Sequence, residues 1–191
     1  MGQPRIALDV KLFAAVTFSD EDMYEKTQEL LIKNFGIIQV VSKKIDFCFT
    51  EYYANEMGLN LKKQFLGFKE LIRPESLVDI KLVTNKIEEL FLSNGKRQVN
   101  IDPGYLTGAS VILATTKNFD HRIYLGKGIY GDVHIRYRRE KFHFNEWTYP
   151  DYKDMMVIDF FARLRKVYMK EYRKLLGKTK KEIAIEKKSD L

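Results

Sequence analysis

In the segment VKLFAAVTFS, β-branched and aromatic residues run almost unbroken, the composition of a strand. Directly after it, Ser19 stands three residues before the acid Asp22. Met23, Thr27, Leu30, Leu31 and Phe35 then recur at helical spacing until Gly36. That pattern predicts a helix capped near Ser19 and stopped at Gly36. IIQVVSKKI and FCFTEYY read as strands, and LKKQFLGFKEL as a third, ended by Pro74. The next stretch, PESLVDIKLVTNKIEELFLSNG, fits two patterns. Leu77, Ile80, Val83, Ile87, Leu90 and Phe91 suit one long helix, whereas Asn85 three residues before Glu88 is itself a capping signature. The second pattern is preferred: a strand through Asp79 to Val83, then a helix from about Lys86 to Ser93 closed by Asn94-Gly95.

The segment HRIYLGKGIYGDVHIRY contains a literal G-x-G-x-x-G-x-V pattern from Gly126 to Val133. A nucleotide-binding glycine loop of the dinucleotide type needs a helix after the glycines, and a kinase needs further motifs that this chain lacks. Strand-like alternation continues here instead, so a β-hairpin is the preferred reading. A three-residue loop at Gly126-Lys127-Gly128 sets Leu125 against Ile129, Tyr124 against Tyr130 and Arg122 against Asp132. Near the C-terminus, Val157, Phe161, Leu164, Tyr168, Tyr172 and Leu175 form the apolar stripe of a long helix that Gly177 is expected to stop. Together these elements predict one α+β domain over residues 1–177, with a mixed or largely antiparallel sheet, helices packed on it and a long C-terminal helix. A basic, flexible tail is expected over 178–191.

Composition narrows the possibilities. The chain has 191 residues, 45% hydrophobic and 31% charged, a globular balance. Its single cysteine, Cys48, cannot form an intrachain disulfide and is expected to pack as a small hydrophobe, which fits a cytoplasmic protein. No apolar run approaches the roughly 18 residues of a membrane helix, so no membrane partner is expected. The net charge of +7 is concentrated: between Arg163 and Lys181 nine basic residues face one acid, leaving the remainder at minus one. Arg163, Lys166, Lys170, Arg173 and Lys174 are therefore the candidate nucleic-acid contacts, with a merely solvated helix face as the alternative.

With one cysteine and no recognised spacing among His121, His134 and His143, zinc is not expected, while a carboxylate-bound Mg²⁺ stays open. The strongest concentration of chemistry lies between Asp102 and Arg122. Lys117, Arg122, Thr115, Thr116, Tyr105 and Tyr124 are candidate ligand-binding residues, because cations and hydroxyls together suit a phosphate. His121, Asp102 and Glu56 are the candidate catalytic residues, as groups able to exchange or direct protons near neutral pH. Each also has a plainer reading: Asp102-Pro103-Gly104 as a turn, Thr115 to Asn118 as a polar loop, and His121 as an oriented structural histidine.

MGQPR, VKLF, FTEYYANEMG, VNIDPGYLT, ATTKNFDHRIYLGKGIY and WTYPDY, in that order, resemble the uncharacterised prokaryotic proteins grouped as domain-of-unknown-function family 4416. The resemblance runs from Met1 to about Leu176. It implies a single-domain cytoplasmic protein of bacteria or archaea, and it carries over no ligand or catalytic residue. It also points to a shared site, since FTEYYANEMG, DPGYL, TTKNFDHR and WTYPDY are more polar than a core requires. Glu51, Tyr52, Tyr53 and Glu56 would join the central cluster there. The leading expectation is binding, with or without turnover, of a phosphate-bearing ligand such as a nucleotide or RNA. A nonenzymatic nucleic-acid module using the basic helix, or a protein-interaction or oligomerisation domain, is the alternative.

Overall fold

β1 (Val10–Phe18) is buried along its whole length, which requires cover on both faces. Leu12, Ala14, Val16 and Phe18 point to one side and meet Tyr24 and Leu31 of α1 (Glu21–Phe35) and Ile80 and Ile87 of α3 (Leu77–Glu89). Phe13 and Ala15 point to the other and meet Val157, Phe160, Phe161 and Leu164 of α4 (Met155–Ser189). The alternation of a strand thus divides the core into two layers, one on each side of a single sheet. The computed structural model describes residues 2–3, 6–48, 54–58 and 60–189, of which 54, 55, 175 and 177–189 are described by their backbone.

The sheet runs in the order β11 (Lys141–Phe144), β10 (Ile129–Arg138), β8 (Ser110–Thr115), β7 (Val99–Leu106), β1, β4 (Lys62–Ile72) and β2 (Ile38–Val41). β3 (Ile45–Asp46) lengthens the ladder along β4, and β9 (Ile123–Gly126) does so along β10. Every described pairing is antiparallel. α4 comes very close to the sheet: a Cβ on Gly67 of β4 would lie 2.4 Å from Leu164 Cδ1. It is fastened there by Lys11, fully buried in β1, whose Nζ donates to the Lys69 carbonyl at 2.7 Å and pairs with Glu171 of α4 at 2.7 Å.

Several expectations are corrected. Residues 77–89 form one continuous helix, entered through a 3-10 turn at Pro74–Ser76, in place of a strand over 79–83. Its buried positions Leu77, Ile80, Lys81, Thr84, Ile87 and Glu88 have helical spacing, and tertiary burial overrides the capping signature at Asn85. Asn94-Gly95 forms the turn of a small hairpin, β5 (Leu92–Ser93) and β6 (Lys96–Arg97), with both φ values positive as a two-residue turn requires. α1 is capped by Asp20, whose side chain accepts the Met23 N–H at 2.9 Å, one residue beyond Ser19. Cys48 is exposed, because alternation after Ile45 turns Phe47 inward and its neighbour out.

Asp102-Pro103-Gly104 lies inside β7 rather than in a turn. α4 runs past Gly177 to Ser189, since a lone glycine costs only about 1 kcal/mol in a helix and the residues after it are mostly good helix formers. The side chains expected in a flexible tail over 178–191 are outside the described residues, as are Glu51, Tyr52 and Tyr53. The β9–β10 hairpin sets Tyr124 opposite Tyr130, the pairing expected from the sequence. Its tip differs: Lys127-Gly128 is a two-residue turn pairing Gly126 with Ile129, and a bulge takes up Leu125.

Candidate functional site: a cleft where the sheet forks

β7 and β8 are paired from Leu106↔Val111 to Gly104↔Leu113 and no further. The next residue of β7, Pro103, has no N–H to give to a ladder. β8 continues against β10 as far as Thr115↔Tyr130, while β7 continues against β1. The two strands therefore part, and one edge of β7 is left without a strand. α3 supplies what the missing strand would have given. Glu88 Oε1 accepts the Ile101 N–H at 2.7 Å, and Lys81 Nζ donates to the Ile101 carbonyl at 2.8 Å.

A cleft of about 300 Å³ opens at this fork. Its floor is a connected chain of charge. Arg97 makes two 2.7 Å bonds to the carboxylate of Glu56, on the single helical turn α2 (Ala54–Met57). The same guanidinium reaches Glu88 at 3.2 Å and Asn100 Oδ1 at 3.0 Å, and Asn100 Nδ2 donates to Asp102 at 2.9 Å. Lys81 Nζ stands 3.9 Å from both Glu88 and Asp102. The Arg97 hydrogen bond holds the Glu56 carboxyl below the ordinary range and raises Arg97 further. Burial pushes the Glu88 carboxyl up, against the lowering influence of Lys81.

The rim is formed by Thr115, Thr116 and Lys117 at the end of β8 and by Tyr149. Thr115 Oγ1 accepts the Lys117 N–H at 3.2 Å. Arg122 ties the rim together, donating to the Lys117 carbonyl at 2.9 Å and to the Tyr149 hydroxyl at 3.0 Å. Behind Tyr149, buried His134 sits at a β10 bulge, with Nδ1 2.9 Å from Asp132. The Tyr149 N–H donates to His134 Nε2 at 3.1 Å, which places the ring proton of the neutral imidazole on Nδ1. Burial, and after it the Asp102 charge, pushes the Tyr149 hydroxyl above its ordinary value.

Of the residues singled out in the sequence, Asp102, Thr115, Thr116 and Lys117 line the cleft together. Glu56 joins through Arg97, and Arg122 lies one layer behind the rim. His121 is elsewhere, stacked on Trp147 with ring centroids 4.8 Å apart and held by Asp120 at 3.0 Å. Tyr105 borders a neighbouring apolar groove with Pro74 and Val78, and Tyr124 packs edge-on against Tyr130 in the hairpin. On α4, Lys166, Lys170, Arg173 and Lys174 are exposed, while Arg163 is engaged by Asp159 and the Val41 carbonyl. Among the described residues, no group of three or more His, Cys, Asp or Glu side chains is arranged to hold a metal ion.

Sequence reasoning missed Lys81, Glu88, Arg97 and Asn100, and it reached Tyr149 only as part of the segment WTYPDY. A signal existed for two of them: with residues 77–89 as a helix, Lys81, Thr84 and Glu88 share a polar line at the border of the apolar stripe. Arg97 and Asn100 reach the cleft only through the fork, which no local pattern announces, and Tyr149 reaches it through the loop before α4.

A family model described as a domain of unknown function (DUF4416) matches residues 8–168. No curated protein and no solved structure matches the chain. Among the described residues, no helix is long and apolar enough to cross a membrane.

Proposed function

The chain belongs to the DUF4416 family, and from the chemistry of its forked sheet we propose that it binds a small phosphate-bearing ligand, a nucleotide being the class that suits the cleft. The observation that carries this reading is the meeting of Lys117, Thr115 and Thr116 with Asp102, Asn100 and Asn85 around one opening of about 300 Å³. An ammonium and two hydroxyls on one rim suit phosphate oxygens. The Asp102 carboxylate and the Asn85 and Asn100 amides, which line the same opening, suit ribose hydroxyls and the amino groups of a base. Asp102 shares the opening with the carboxylates of Glu88 and Glu89, and in this reading it is the one that takes a proton from a ligand hydroxyl.

Calorimetric titration with AMP, ATP, a sugar phosphate and inorganic pyrophosphate tests the reading. At least one should bind, and Lys117→Ala and Asp102→Asn should each weaken it about tenfold or more, the loss of roughly 1.4 kcal/mol. Absence of binding across the set rejects it.

A second reading rests on α4, where Lys166, Lys170, Arg173 and Lys174 form one exposed row opposite the apolar stripe. Such a row suits the phosphates of a nucleic acid, and its mark is affinity that falls steeply with salt. Glutamate at Lys166, Lys170 and Lys174 should then abolish RNA and DNA binding. Equal binding by the triple variant would reject this second reading.

A further inference from the structure

We infer that Arg122 is a second anion-binding group of the cleft, held behind Tyr149, and that it receives a phosphate bidentately in place of the Tyr149 hydroxyl. The inference rests on the phosphate reading of the cleft. A guanidinium carries five N–H donors in a planar fork. Arg122 uses one nitrogen on the Lys117 carbonyl and another on the Tyr149 hydroxyl. Its Nε is buried without a hydrogen-bond partner, and its side chain is only 8% exposed.

The acid nearest to that Nε does not satisfy it. Asp132 Oδ2 lies 3.7 Å away, inside ion-pair range and outside hydrogen-bond reach, and it too lacks a hydrogen-bond partner. Asp132 is held in place by His134 Nδ1 at 2.9 Å, and His134 is held in turn by the Tyr149 N–H. Closing the gap to Arg122 would pull on that chain. A buried donor without an acceptor is costly, more so when charged, so the site is stabilised when an acceptor arrives.

The direction of arrival follows from what Arg122 already touches. Lys117 and Tyr149 both line the cleft, so the guanidinium is one side chain from it. The Tyr149 hydroxyl is a neutral acceptor with a single oxygen. A phosphate offers two charged oxygens at the spacing of the guanidinium fork, and charge-assisted bidentate bonds are roughly twice as strong as neutral ones. Displacement of the hydroxyl by phosphate brings Arg122 and Lys117 onto the same anion. This favours ligands with a terminal phosphate or pyrophosphate over phosphodiesters, whose bridging oxygens carry less charge.

Titrations of the full chain with inorganic pyrophosphate and with AMP decide the matter, comparing wild type with Arg122→Gln, Arg122→Lys and Tyr149→Phe. Arg122→Gln should weaken binding at least tenfold, and Arg122→Lys should recover part of that loss. Tyr149→Phe removes one oxygen and the competitor with it, so affinity should rise several-fold. That variant keeps the test valid where Arg122→Gln fails to fold, as judged by thermal melting. Binding lost in Lys117→Ala but unchanged by Arg122→Gln and Tyr149→Phe overturns the inference and leaves the cleft reading standing. Weaker binding by Tyr149→Phe also overturns it, because the hydroxyl would then be a ligand contact. No binding by wild type removes both.

Discussion

Glu88 Oε1 accepts the backbone N–H of Ile101 at 2.7 Å, so a helix carboxylate takes the place of a strand on one edge of β7. The sheet can fork beside Pro103 because α3 satisfies the exposed backbone there. The cleft is a consequence of that substitution, and its polar floor helps to hold the fold together.

Removing the substitute should be expensive. Glu88→Ala leaves the Ile101 N–H without its acceptor and takes a carboxylate from Lys81 and Arg97. A loss of about 3 kcal/mol is expected, the usual cost of breaking a buried polar network. Urea denaturation of the variant checks it, and a loss below about 1 kcal/mol would mean that Glu88 is not what closes the edge of β7.

Two carboxylates of the floor should give opposite pH dependences. The Glu56 carboxyl is lowered in the fold by its Arg97 hydrogen bond, so its contribution is present above the unfolded value and is lost as pH falls through the folded one. The Glu88 carboxyl is raised by burial, so the folded state holds its proton more tightly. Stability from Glu88 therefore declines as pH rises from the unfolded value through the raised folded one. Denaturation midpoints measured against pH should show the acid limb flattened in Glu56→Gln and that decline removed in Glu88→Gln.

At the base of the fork, Gly104 has no room for a side chain. A Cβ there would lie 2.4 Å from the Ile112 carbonyl oxygen and 2.5 Å from Phe13 Cζ. The backbone oxygen cannot swing aside, so Gly104→Ala should cost about 3 kcal/mol, at the upper end of ordinary overpacking. Thermal melting of the variant is the check. Full retention of stability would show that β7 and β8 can separate further than this packing implies.

What the sequence disclosed was set by how local each signal is. β1, β4, α1 and the stripe of α4 follow unbroken periods, whereas the pairing of Tyr124 with Tyr130, expected from a three-residue loop, is kept because the bulge at Leu125 offsets the two-residue turn. α3 was obscured because buried Lys81, Thr84 and Glu88 interrupt its apolar stripe while Asn85 and Glu88 imitate a helix start. Misreading that helix hid the floor of the cleft. Thr115 to Lys117 could be found as polar residues at the end of β8, and Asp102 as an acid close to them in sequence, although it lies in the middle of β7. Tyr149 stood out only as part of WTYPDY, since its role depends on the fold bringing Arg122 and His134 around it.

The central claim is that the fork between β7 and β8 receives a phosphate-bearing ligand. An amide-resolved NMR titration of the full chain with AMP and with inorganic pyrophosphate tests it most directly. The expected result is a saturable set of shifts confined to Arg97–Asp102, Thr115–Lys117 and Tyr149. Shifts confined to Lys166–Lys174 of α4, or none at all, would contradict it.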